Sequence, residues 1–274
     1  MSTADAITTE SGGTPENSPA DSFVVFEQPL NERMRSFMRV EFLFDKLAHF
    51  IEGESDWDSR ISLDTLLEIL NLSSRGDIKS ELIKELERQI NTLERIPDNP
   101  SVNGSLCARL LRQLRDSLER LRGVNGMTGN ELKRNELLKN ISQRASMPGG
   151  AGPIDLPHLH YWLQQDAPTR VAMLKQLYET VAPVKTALDM VLNLIRESSP
   201  ATREIAVNGT FSRTLDADAA NQLVRILLSP EERCLAEIST GKYRTSIRFL
   251  EPSMDERPKA VNRDVSFHLI CCCL

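Results

Sequence analysis

The hydrophobic period of the chain changes once, at Ser198-Ser199-Pro200, and that change constrains the fold more than any other feature. Before it, apolar residues recur every three to four positions, as on one face of a helix; after it they alternate, as on a strand. Asn31 is placed to cap a long first helix carrying Phe37, Val40, Phe44, Leu47 and Ile51, and Met34, Met38 and Phe42 widen its stripe toward packing on two sides. Helical patterns follow over Ser62–Leu72, Asp77–Ile96, Ser105–Leu121, Asn130–Arg144, His158–Gln165, Thr169–Val181 and Val184–Glu197. The last is apolar nearly all round, which predicts a buried helix.

Beyond Pro200, Glu204–Val207 and Thr210–Arg213 flank Asn208-Gly209, the strongest short hairpin signal. Gln222–Leu228, Leu235–Ser239, Tyr243–Glu251 and Val265–Cys272 also read as strands, and Val265, Phe267, Leu269 and Cys271 would form the inner face of the last one. The expected fold is α+β: an N-terminal all-helical domain over 22–199, then a smaller antiparallel β domain over 200–274. Phe23–Phe26 is a short strand, and a lone strand of that kind needs a sheet to join. Residues 1–21 hold seven Ser/Thr, four acids and no Lys or Arg, so they read as a disordered acidic tail.

Charge and chemistry exclude several functions. The net charge of −6 argues against a general polyanion binder. No apolar run approaches the roughly 20 residues that cross a bilayer, and no basic-then-apolar leader opens the chain. Five cysteines, three of them at 271–273, do not form a disulfide framework. Cys271-Cys272-Cys273-Leu274 matches a prenylation box only formally, because its central positions are not aliphatic and no basic stretch precedes it. The glycine clusters around Gly126 and Gly150 lack the Gly-Lys-Ser/Thr ending of a phosphate loop, and His158-x-His160 diverges on a helix. These readings give no catalytic residue, no metal and no cofactor.

Local basic charge is more informative. In Lys242–Phe249, alternation sends Tyr243, Thr245, Ile247 and Phe249 to one face and Arg244, Ser246 and Arg248 to the other. Arg225, on a strand expected to neighbour this one, occupies a position where leucine would be ordinary, between Leu223 and Leu227. Like charges on one sheet face repel unless an anion intervenes, and guanidinium forks suit carboxylates, so the pattern fits an acidic peptide. Pairing with local acids is the competing explanation, because residues 201–274 hold ten basic and ten acidic side chains. Arg35 and Arg39 share a face of the first helix, and Arg75 stands at a turn. A single-stranded nucleic-acid binder using the β face and Tyr243 is the alternative; net acidity and 5% aromatic content weigh against it.

Several motifs in order resemble the ZapD family of bacterial cell-division proteins. They are Val25-Phe26-Glu27-Gln28-Pro29-Leu30-Asn31-Glu32 running into Arg35, Arg39 and Glu41-Phe42-Leu43, then Arg75-Gly76-Asp77 and Glu81–Leu86. Pro148-Gly149-Gly150, Asp155-Leu156-Pro157-x-Leu159-His160-x-Trp162-Leu163, Leu188–Arg196, Asn208-Gly209 and Ile238–Phe249 continue the match. The resemblance implies a non-enzymatic, cytoplasmic homodimer recruited to the mid-cell division ring. Such a protein would bind the acidic C-terminal tail of the tubulin-like GTPase FtsZ and bundle its filaments. It implies a basic site of Arg75, Arg244 and Arg248 with Arg225 nearby, and further filament contact by Arg35, Arg39 and His160. The acidic tail over 1–21 and the stretches 215–220 and 252–263 depart from the family pattern.

Overall fold

The computed structural model describes residues 23–76, 78–95, 104–123, 135–144, 152–216, 220–241 and 244–274. These divide into two compact units, one rich in helix (28–200, 216–224 and 271–274) and one built of strands (up to 27, 201–215 and 225–270). The fold is α+β, with eight α-helices among the described residues and antiparallel sheet in the C-terminal part.

In the helix-rich unit α1 spans Glu32–Phe50, and Asn31 caps it by accepting a hydrogen bond from the Met34 amide at 2.8 Å. Met34, Phe37, Val40, Phe44 and Leu47 form its buried stripe, but Phe42 is 68% exposed, so the helix packs on one side rather than two. Helix α2 (Asp56–Gly76) starts six residues before the apolar period does. The cause is polar: Ser55 Oγ accepts from the Asp58 amide at 3.0 Å while Asp58 accepts from the Ser55 amide at 3.1 Å, a reciprocal cap. The Ser55 hydrogen bonds hold the Asp58 carboxyl below the usual aspartate range.

The remaining helices are α3 (Ile78–Glu94), α4 (Gly104–Gly123), α5 (Glu136–Arg144), α6 (Pro157–Leu163), α7 (Ala167–Glu179) and α8 (Ala182–Arg196). Helix α8 buries Val184, Ala187, Leu188, Val191, Leu192 and Ile195, yet its other side is not covered as the sequence predicts. Met190 and Leu194 stay half-buried and line, with Leu110 and Leu114 of α4, a groove of about 370 Å³.

Two charged side chains in this unit are buried with their partners. Arg170, 6% exposed, donates to Ser59 Oγ at 3.0 Å and to the main-chain oxygens of Leu163, Gln165 and Glu54. Glu85, 0% exposed on α3, meets Arg33 at 2.9 Å and Arg88, and accepts from the side-chain amides of Gln89 and Gln222, each at 3.3 Å. Arg88 and Gln222 also donate to the Leu274 carbonyl. One carboxylate thereby gathers segments from 33, 85–89, 222 and 274.

Strand β1 (Val24–Pro29) stands at the edge of a four-stranded sheet of order β1-β4-β8-β2, with β2 at Thr202–Ala206, β4 at Asn221–Leu228 and β8 at Val265–Cys273. The second sheet has order β3-β6-β5, with β3 at Thr210–Thr214, β5 at Leu235–Thr240 and β6 at Arg244–Glu251, and the short β7 (Lys259–Ala260) pairs with β6 at Leu250 and Glu251. The expected β2–β3 hairpin is therefore absent. Asn208 and Gly209 do make a tight turn with φ of 49° and 69°, closed by the Thr210 amide on the Val207 carbonyl at 3.0 Å. Past that single bridge the strands part, β2 to β8 and β3 to β6. The turn is a corner between sheets: the Phe249 amide donates to the Gly209 carbonyl at 2.8 Å, and a Cβ on Gly209 would lie 2.4 Å from the Val261 oxygen. Only glycine fits there.

The core of the strand unit centres on Phe267, with Phe211 at 5.3 Å and Phe249 at 5.1 Å between ring centroids. Val265, Phe267 and Leu269 are buried as alternation predicts, but the phase slips at Leu269-Ile270, both buried, so Cys272 is buried instead of Cys271. Beyond that slip the strand counts with the helix-rich unit, where the Cys272 thiol lies 3.9 Å from the Arg196 carbonyl.

Replacing Glu85 with Ala leaves two guanidiniums and two amides without their shared acceptor. The variant is expected to lose about 3–5 kcal/mol in urea unfolding. Lys84→Ala, on an exposed side chain of the same helix, should change stability by under about 0.5 kcal/mol. A loss in Glu85→Ala no larger than in Lys84→Ala would show that the cluster does not hold these segments.

Candidate functional site

The site is built on β6, which is paired on both edges. Opposite it, β3 aligns Thr210 with Arg248, Ser212 with Ser246 and Thr214 with Arg244. On the other edge β5 aligns Glu237 with Arg248 and Ser239 with Ser246. Directly opposed residues share a face, so Arg244, Ser246 and Arg248 point the same way as Thr210, Ser212, Thr214, Glu237 and Ser239. Thr245, Ile247 and Phe249 point inward and are buried. The outer face is thus a hydroxyl-rich surface carrying two exposed guanidiniums, four residues and roughly 13 Å apart along the strand.

The two arginines differ in what they hold. Arg244 donates through Nε to Ser212 Oγ at 2.8 Å, and among the described residues no carboxylate pairs with it. Arg248 reaches Glu237 at 2.5 Å, so local charge balance accounts for part of this charge. A guanidinium has five N–H donors, which leaves Arg248 able to receive a second acceptor beside Glu237. Both members of that pair are exposed, and an exposed pair of this kind is weak enough to rearrange.

Arg225 is elsewhere. Strand β4 belongs to the other sheet, between β1 and β8, and Arg225 pairs with Glu27 of β1 at 2.8 Å with both side chains mostly buried. The expected neighbouring of this strand with β6 is thus not found: strand order, which alternation does not reveal, separates them. Arg75 is in the last turn of α2, and its side chain lies outside the described ones, as do Lys242 and Tyr243.

The α1 residues form a second, separate surface on the helix-rich unit. Arg35, Arg39 and Phe42 recur at four and three residues, and Arg35 meets Glu32 at 3.3 Å while Arg39 is exposed. The exposed Phe42 belongs to this surface, a role that its place in an apolar stripe concealed. His160 of α6 lines a pocket of about 250 Å³ with Trp57, Arg60, Leu156, Leu159 and Leu163, and Trp57 is 72% exposed. Trp57 precedes the apolar period that starts at Ser62, so periodicity alone does not single it out.

Other chemistry in the strand unit does not suit an anionic partner. A hollow of about 620 Å³ is lined by Glu231, Glu232 and Glu251 with Arg233 and Arg263, and Arg263 meets Glu232 at 2.5 Å. Burial pushes the Cys234 thiol above its ordinary value despite Arg263, which disfavours the reactive thiolate. Among the described residues no group of His, Cys, Asp and Glu could hold a metal ion, and no helix is long and apolar enough to cross a membrane.

Comparison with known proteins places these features in a family. The model of the ZapD family, described as a cell division protein, matches residues 38–248. Curated relatives called cell division protein ZapD include one from Methylococcus capsulatus, 40% identical over 251 residues, covering 92% of this chain and 98% of the relative. Another from Aromatoleum aromaticum is 36% identical over 255 residues, covering 93% and 99%, and one from Azoarcus is 35% identical over 251 residues, covering 92% and 100%. Two helical and strand-built units in this order, matched over nearly all the length of those relatives, make the chain a member of the ZapD family of cell division proteins.

Proposed function

We propose that this division protein binds the acidic C-terminal tail of FtsZ on the outer face of β6. Acting as a cytoplasmic homodimer, it cross-links FtsZ filaments and so promotes ring assembly at mid-cell. The observation that carries the reading is the pair Arg244 and Arg248 on one hydroxyl-lined sheet face, with no described carboxylate on Arg244. An acidic peptide would replace or share Glu237 on Arg248 and join Ser212 as an acceptor on Arg244 in charge-assisted hydrogen bonds. Serine and threonine hydroxyls from β3, β5 and β6 would supply further donors to the peptide backbone. The role is binding and positioning, with no reaction step and no cofactor.

Bridging follows from two copies. One tail bound at one protomer places the second filament near the other protomer's site, which raises its effective concentration without any new contact. The α1 surface of Arg35, Arg39 and Phe42 and the His160 pocket are proposed as additional filament contacts. Arg225 holds Glu27 in the other sheet, so its part in binding is best tested as a single variant alongside Arg75.

Arg244→Ala with Arg248→Ala is expected to weaken binding to a synthetic FtsZ C-terminal peptide at least about tenfold, since removing one partner of a charge pair that becomes buried on binding costs roughly 2–5 kcal/mol. The double variant should also lose co-sedimentation with FtsZ filaments, while its circular dichroism stays native because both side chains are exposed. Unchanged co-sedimentation would remove the β6 face from consideration.

Salt should act in the same direction. Screening shortens from about 8 Å at physiological ionic strength toward about 3 Å at 1 M. Bundling followed by light scattering is therefore expected to fall steeply by about 0.5 M salt. Equal scattering in dilute and concentrated salt would contradict a mechanism led by charge.

A further inference from the structure

We propose that the N-terminal segment 1–21 is an internal ligand for the Arg244–Arg248 face and competes there with the acidic partner. This rests on the reading of that face as an acidic-peptide site and adds a regulator to it. Three observations lead to it. The first is chemical. Residues 1–21 carry Asp5, Glu10, Glu16 and Asp21 with no Lys or Arg, and they include Ile7. A segment of this kind belongs to the same class of acidic peptide that the face is proposed to take.

The second is the charge left open in the strand unit. Arg213 is paired with Glu204, Arg225 with Glu27, Arg263 with Glu232, and Lys259 with Glu256. Arg233 and Arg257 each follow two consecutive acids in sequence, Glu231-Glu232 and Asp255-Glu256. Arg244 has a serine hydroxyl as its partner, and Arg248 beside it shares an exposed carboxylate. Arg203 of β2 also donates to a serine hydroxyl, Ser266 Oγ at 3.3 Å, but it lies in the other sheet, whereas the β6 face sets two exposed guanidiniums on one strand. An added carboxylate can therefore use both arginines of that face.

The third is reach. The chain enters β1 at Val24, in the same unit as β6. Twenty-one residues span up to about 70 Å when extended. Without the segment the unit has about 66 residues, and a unit of that size has a radius of gyration of only about 11 Å. No part of the unit's surface is beyond such a tether, and a tether of this length holds its end at roughly millimolar local concentration. In this proposal the segment acts as a regulator of the β6 face. It weakens occupancy at low filament density and yields to many tails presented together on a filament.

The test uses the full chain with the segment neutralised by Asp5→Asn, Glu10→Gln, Glu16→Gln and Asp21→Asn. Two fluorescent probes are titrated, a synthetic FtsZ C-terminal peptide and a synthetic peptide of residues 1–21. Neutralisation is expected to tighten FtsZ-peptide binding by about three- to tenfold in dilute salt, the factor that a millimolar internal competitor of weak affinity produces. The 1–21 peptide should bind the neutralised chain and fail to bind it once Arg244→Ala and Arg248→Ala are added. If that peptide does not bind, or binds the arginine variant equally well, the inference is wrong. Equal FtsZ-peptide affinity with and without neutralisation also overturns it, leaving the proposed function standing. Binding of the 1–21 peptide without any binding of the FtsZ peptide supports the internal ligand as an acidic-peptide contact and rejects FtsZ as the external partner.

Discussion

The outward direction of the β6 arginines depends on one aromatic contact. Phe267 of β8 is held between Phe211 and Phe249, which come from two adjacent strands of the facing sheet. Because side chains alternate strictly along a strand, seating Phe249 inward commits Ile247 and Thr245 to the core and Arg248, Ser246 and Arg244 to the outside. A slip of one residue would bury two guanidiniums and expose a phenylalanine, so the aromatic cluster sets the register and the register presents the charge. The Asn208-Gly209 corner serves the same end, since the Gly209 carbonyl accepts from the Phe249 amide and carries the chain from one sheet into the other.

The helix-rich unit is organised by a polar constraint instead. Glu85 is fully buried and would be untenable alone, but Arg33, Arg88, Gln89 and Gln222 surround it, and two of these also hold the Leu274 carbonyl. Residues far apart in sequence meet at one charge. Arg196 and Glu41, joined through two contacts of 2.5 and 2.7 Å, make a comparable link between α8 and α1. Such pairs specify which partner each segment takes more than they add net stability.

The period change at Pro200 made the order of helices and strands legible, and alternation alone separated Arg244 and Arg248 from Ile247 and Phe249. Pairing was not legible. Asn208-Gly209 carries a local hairpin signal, but the cores available to β2 and β3 lie in different sheets, and tertiary burial overrides the turn's preference after one bridge. Strand order likewise decides that Arg225 faces Glu27 and that Glu237 stands opposite Arg248, neither of which a single strand's pattern contains. Phe42 and Trp57 show the limit of apolar periodicity: both fit helical stripes or flanks, and both are exposed. The net charge of −6 concealed the decisive distribution, four acids in the first 21 residues and a balanced strand region with two exposed arginines on one face of β6.

The most direct test of the account is to locate a bound acidic tail on the protein by isotope-edited NMR, titrating a synthetic FtsZ C-terminal peptide into the full chain. The account predicts chemical-shift changes and intermolecular contacts at Arg244, Ser246, Arg248, Ser212 and Glu237, with the buried amides of Ile247 and Phe249 little moved. Contacts confined to the helix-rich unit, or to the Glu231–Arg263 hollow, would contradict it.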